Sequence, residues 1–240
     1  MANTENETEA IGIGVNVPTF TLTLDSFRIT DTRSRHEDTD FVSCTLQVKS
    51  ANASGTPKTQ TKSMGNLHNG TFKVGLSFPN VSVGPNQTTV FNYLIINSGH
   101  KSESAIYTAL ENAGGALAEK GLVTGGTAIG SAILPGLGTI PGAAAGWLAG
   151  EVKDILTANC DGPVAAEQLT LTYSDLLAKT GHGSYKHETP NPGKDSAVGC
   201  GGNSMYYVTW DVARGVTPPP PIKANDQRHG EVLHSTVGAG

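Results

Sequence analysis

The densest run of side chains able to do chemistry is Asp31-Thr-Arg-Ser-Arg-His-Glu-Asp-Thr-Asp40. Asp31, Asp38 and Asp40, with Glu37 beside them, offer hard carboxylate oxygens close together, the donor type that calcium takes. Asp161 and Asp195 are further carboxylates that other loops can bring near. The same run carries Arg33, Arg35 and His36, which can neutralise the carboxylates directly. The spacing is not that of an EF-hand, since His36 stands at the sixth position and Val42 at the twelfth. Two expectations follow for this loop. One is a calcium site using Asp31, Asp38 and Asp40; the other, the default for a mixed charge cluster, is a loop paired with itself.

Elsewhere the chemistry is sparse. His182 and His187 flank Gly183-Ser-Tyr-Lys186, but a spacing of five does not place two rings on one helix face and no third ligand is positioned. Gly201-Gly-Asn-Ser204 lacks the closing glycine of a nucleophile elbow. No glycine-rich stretch ends in the Lys-Ser/Thr of a phosphate loop. Cys44, Cys160 and Cys200 form no Cys-x-x-Cys pair; a bridge between Cys160 and Cys200 is one option, and three free thiols is the default. The expectation is a protein that is not an enzyme and has no cofactor other than the calcium of the loop reading.

The sharpest spacing in the chain is of glycine. Gly138, Gly142, Gly146 and Gly150 recur at every fourth position, and Gly126 with Gly130 repeats the step. Residues four apart share a helix face, so such glycines leave a smooth groove for a second helix. A mid-helix glycine costs about 1 kcal/mol relative to alanine, which close packing must offset. Residues 121–150 contain no charged side chain. The segment resembles the glycine-zipper stretches of membrane-associated and pore-forming proteins and of some bacterial toxins. That resemblance implies membrane or subunit contacts at Gly126, Gly130, Gly138, Gly142, Gly146 and Gly150, with Trp147 as an interfacial anchor. Length restrains it: residues 121–134 would reach about 21 Å as helix and residues 141–150 about 15 Å, both short of a bilayer core about 30 Å thick.

The elements around these features read as strands. Phe20, Leu22 and Leu24 alternate with Thr19, Thr21 and Thr23, and Phe27 and Ile29 continue after a slip of phase at Asp25-Ser26 that predicts a bulge. Val42, Cys44, Leu46 and Val48 alternate, as do Phe72, Val74, Leu76 and Phe78 after an Asn69-Gly70 turn signal. Residues 90–96 are apolar on both faces, which predicts a central strand. Leu169, Leu171 and Tyr173, then residues 205–212, complete the series. Between them Ser102 caps a helix with Ile106, Leu110, Ala113 and Leu117 on one face, and Pro141 suits the opening of a second helix running to about Leu156. The fold class predicted is mainly β: an antiparallel β-sandwich with an inserted Gly/Ala-rich α-helical hairpin. Its parts are a polar arm (1–12), the sandwich (13–214) with the hairpin at 102–158, and a proline-rich tail (215–240).

Composition narrows the function. The formal charge is −5 and only 15% of residues are charged, so no basic face for nucleic acid is available. Residues 1–10 have no basic or apolar region of the kind a secretory signal needs, which predicts a protein soluble as made and, on the toxin reading, released to act outside the cell. Three functions compete. The first is a self-associating β protein whose glycine-rich hairpin mediates oligomerisation and membrane insertion. The second is a structural subunit of a filament, tube or shell, with hairpin and tails as contacts. The third is a calcium-dependent binding module using residues 31–40. The expected partners are further copies of the chain and a lipid membrane.

Overall fold

In the computed structural model, residues 17–35, 37–99, 102–120, 131–133, 139–141, 161–193 and 204–215 are described. Among these residues the chain is mainly β, with antiparallel strands and two helices. One sheet has the order β10 (Ser184–Pro192), β11 (Met205–Arg214), β1 (Thr19–Asp31), β5 (Gly70–Ser82). The other runs β2 (Asp38–Ser50), β6 (Gln87–Asn97), β9 (Gly162–Thr172), with β3 (Ala53–Ser54) and β4 (Lys58–Leu67) on the far side of β2.

Period-two alternation decides which side chains enter the core. From the first sheet Phe20, Leu22, Leu24, Phe27, Val208, Trp210 and Val212 pack against Val42, Cys44, Phe91, Tyr93 and Ile95 of the second, in one continuous cluster. The slip at Asp25-Ser26 is real. The pairing of β1 shifts register between Leu24 and Ser26 on both sides, so Phe27 returns to the inner face. Strand β6 is buried along its whole apolar length, because a helix covers its other face.

That helix is α1 (Glu103–Lys120). Ser102 caps it, with its carbonyl accepting from Ile106 N at 3.1 Å. Ile106, Leu110, Ala113 and Leu117 are all buried against Phe41, Leu94, Ile96 and Ala166. Each large aliphatic side chain buried there contributes about 1.5–3 kcal/mol. Gly114 rests on Thr45, where a Cβ would overlap Thr45 Oγ1. The last turn is tied by Lys49 Nζ, which donates to the Glu119 carbonyl at 2.8 Å. Since Lys49 pairs with Thr88 at the start of β6, α1 runs back along that strand, from its Asn97 end to its Thr88 end.

The helical hairpin needs correction where it is described. Residues 131–133 and Pro141, expected in helix, belong to strands: β7 (Ser131–Ile133) and β8 (Thr139–Pro141) pair antiparallel, with Ser131 opposite Pro141. The physical reason lies in β-branched Ile133, Thr139 and Ile140, which favour strand. Strand β8 lies beside β9. Gly126, Gly130, Gly138, Gly142, Gly146, Gly150 and Trp147, like the arm at 1–12 and the tail beyond Gly215, lie outside the described residues. The rest of the expected second helix, residues 142–156, lies outside the described residues; among those described, the second helix is α2 (Tyr173–Lys179), opened by a capping box between Thr172 and Asp175.

Both lateral openings between the sheets are stitched by side chains. On one side the Gln60 amide takes both backbone groups of Ser77, accepting from its N at 3.1 Å and donating to its O at 2.8 Å, and Lys62 Nζ donates to Val74 O at 2.7 Å. On the other, Asn191 Oδ1 accepts from Ala166 N at 3.2 Å, and Thr189 Oγ1 donates to Glu167 at 2.8 Å.

Candidate functional site

The carboxylates singled out in the first loop separate on folding. Asp31 ends β1, exposed, opposite Met205. Asp38 and Asp40 open β2, two residues apart and therefore on one face, and both are fully buried. They meet Tyr206 of β11, whose hydroxyl lies 2.6 Å from Asp38 Oδ2 and 2.9 Å from Asp40 Oδ2. Tyr206 faces inward because residues 206, 208, 210 and 212 alternate into the core, and a phenol buried there needs a polar partner.

Asp38 also organises the loop before it. Its Oδ2 accepts from Arg33 N at 2.6 Å and its Oδ1 from Ser34 N at 2.7 Å, so one side chain satisfies two amides at the turn. Asn97 joins the same loop to β6: its Nδ2 donates to Ser34 Oγ at 2.9 Å, and its Oδ1 accepts from Thr39 N at 2.8 Å. Asp161, at the entry to β9, accepts from Ser98 Oγ at 3.3 Å and Gly99 N at 3.2 Å.

Arg33 is the buried cation of this cluster. Its guanidinium lies against the Cα of Gly162, where a Cβ would come within 2.7 Å of a guanidinium nitrogen. Burial pulls its pKa down, and the charges of Asp38 and Asp161 act the other way. Burial first, then the charge of Asp38, drives the Asp40 pKa well above the ordinary carboxylate range; the bond to Tyr206 opposes that rise. Burial likewise pushes the Tyr206 hydroxyl far up, with Asp40 and Asp38 adding to it. Arg33, Asp38, Asp40, Asp161 and Tyr206 thus join the first loop, β2, β11 and the entry to β9.

No family model, curated protein or solved structure matches the chain. Its chemistry therefore rests on the residues themselves. Both Asp38 oxygens are engaged by backbone N–H groups, and no set of three or more His, Cys, Asp or Glu side chains lies close enough to share a metal among the described residues. Asp195, Cys160, Cys200 and His36 fall outside those residues. His187 sits on β10 rather than in a loop, its ring stacked on Tyr185 with centroids 6.1 Å apart and close to Trp210. Cys44 is buried in β2 as a free thiol, and burial pushes its pKa up to about 12, which keeps it from acting as a nucleophile.

A second ionic cluster occupies the outer face of the first sheet. Asp25, at the bulge, is bonded by Lys73 of β5 and by Lys186 of β10, the latter at 2.8 Å. The hydrogen bond from Lys186, then that from Lys73, lowers the Asp25 pKa to about 2. Both lysines are mostly exposed, so this cluster joins three strands across open surface. Tyr206, the centre of the buried site, was readable in the sequence only as a core aromatic. The one signal pointing further is that its hydroxyl falls on an inward position.

Proposed function

We propose that this chain is a non-enzymatic, self-associating β protein, an antiparallel sandwich whose glycine-spaced segment, residues 121–150, makes the contacts between copies. The observation that carries the reading is a run of thirty residues without charge, with glycine at every fourth position from Gly138 to Gly150, attached to a body whose lateral openings are already stitched. Association by addition of strands at those openings would have to break the side-chain bonds of Gln60 or Asn191 first. The segment is what remains to spend apolar surface on a partner. Gly114 against Thr45 supports the same reading, since it is a place where this chain uses a missing side chain to bring a helix close.

Membrane insertion by the segment is the second reading, favoured by the absence of charge. Among the described residues no helix is long and apolar enough to cross a bilayer. Sedimentation velocity across protein concentration, run beside dye release from liposomes, separates the two. Self-association that is lost in Gly142→Leu/Gly146→Leu, with the β signal in circular dichroism unchanged, supports the proposal. Release rising steeply with concentration supports insertion. A monomer at all concentrations, inert toward liposomes, overturns both.

A further inference from the structure

Tyr206 has one hydroxyl hydrogen and two carboxylate neighbours. Its oxygen lies within hydrogen-bonding distance of Asp38 Oδ2 and Asp40 Oδ2 alike. A single O–H serves one of them. The other contact would set lone pair against lone pair in a space closed to water, unless that carboxyl carries its own proton. Asp38 is fitted to remain an anion, because both of its oxygens already accept backbone N–H groups and Arg33 lies beside it. Asp40 has no such support: it is fully buried, and its Oδ1 has no hydrogen-bond partner among the described residues. An unpaired carbonyl oxygen of a neutral acid is far cheaper to bury than half of an unpaired carboxylate.

We propose that Asp40, Tyr206 and Asp38 form a proton-held lock, in which Asp40 donates to Tyr206 Oη, Tyr206 donates to Asp38, and loss of the one proton opens the loop at Arg33 and Ser34 together with the chain's entry into β9. The charges facing Asp40 make the consequence directional. Asp38 lies on its own strand and Tyr206 faces it from β11; one step further out, Arg33 of the preceding loop stands by Asp38 and by Asp161 at the entry to β9. With Asp40 neutral, one buried cation faces two carboxylates. With Asp40 ionised the cluster holds three carboxylates against that one cation. Like carboxylates this close do not both stay ionised in a dry site. Relief comes from admitting water at the loop that Asp38 closes, and Arg33 is the residue that ties that loop to Gly162. This device is independent of the function proposed for residues 121–150.

Infrared spectroscopy of the full chain at about pH 7 is the direct test. A protonated side-chain carboxyl band that shifts in deuterium oxide and disappears in Asp40→Asn is the expected result. Absence of the band, or its survival in Asp40→Asn, overturns the proposal. Should Asp40→Asn fail to fold, amide exchange of the unaltered protein decides. Between about pH 7 and about pH 10, after correction for the intrinsic rate, protection at Arg33 and Ser34 should fall about tenfold more than at Leu94 and Ile95. An equal change at all four amides overturns it.

Discussion

Gly114 of α1 sits directly on Thr45 of β2, while at its neighbour Gly115 a Cβ would meet nothing within 4 Å among the described residues beyond its own stretch of helix. The two glycines share a helix and differ in a single respect, which makes them a controlled pair. At Gly115 an alanine adds helix propensity and meets open space. Gly115→Ala should stabilise the protein by up to about 1 kcal/mol in chemical denaturation. At Gly114 the same gain is set against overlap with a side chain in the helix–sheet seam. Gly114→Ala should destabilise by about 1–3 kcal/mol. Equal effects at the two positions would mean that α1 does not approach the sheet as described.

The two buried aspartates should answer substitution differently. Asp38→Asn removes the anion beside Arg33 and leaves only one acceptor oxygen for the Arg33 and Ser34 amides and for Tyr206. A loss of about 3 kcal/mol is expected, the scale for a buried charge deprived of its partner. Asp40→Asn supplies an N–H to the Tyr206 oxygen and should cost under about 1 kcal/mol. The pH dependence carries its own sign. A carboxyl whose pKa is raised by folding stabilises in full below its unfolded value, and that contribution drains away as pH climbs toward the folded one. Denaturation midpoints should therefore fall as pH rises above the ordinary carboxylate range in the native protein, and fall less in Asp40→Asn.

Asp25 gives the opposite trend. Its folded pKa is lowered to about 2, so its contribution is complete above the ordinary carboxylate range and is lost as pH falls toward that value. Because Lys73 and Lys186 are mostly exposed, the effect should be small and screened by salt. The stability difference between the native protein and Asp25→Asn should be measurable at neutral pH in low salt, and should close at about pH 2. A difference that persists there would mark a packing role for Asp25 instead of an ionic one.

Much of the architecture was legible because single positions broke a pattern. The phase slip between Leu24 and Phe27 located the bulge, the doubly apolar run at 90–96 marked a strand covered on both faces, and the stripe from Ile106 to Leu117 marked α1. Strands β4 and β10 left no such trace. Residues 58–67 are polar or small almost throughout, and residues 184–192 include two prolines. Such edge segments are held by neighbours more than by their own periodicity. Asp161 and Arg33 were visible as charges able to join the first loop. Their meeting with Tyr206 was not, because Asp38 and Tyr206 stand 168 residues apart and only the pairing of β1 with β11 brings them together. In residues 131–133 and 139–141 the local preference of β-branched side chains prevailed over the helix expected there.

The direction of α1 separates the two footings of the segment it precedes. Helix α1 ends at Lys120, by the Thr88 end of β6, and β9 is entered from Asp161, by the Asn97 end, so the footings stand about the length of α1 apart, about 27 Å. Each is fixed on its own account, one by Lys49 and the Gly114 seam, the other by the β6–β9 ladder and Arg33. A tether of about ten extended residues would bridge that gap. The forty residues from 121 to 160 thus hold several times the length needed to span that distance, and β8 within them returns to lie beside β9.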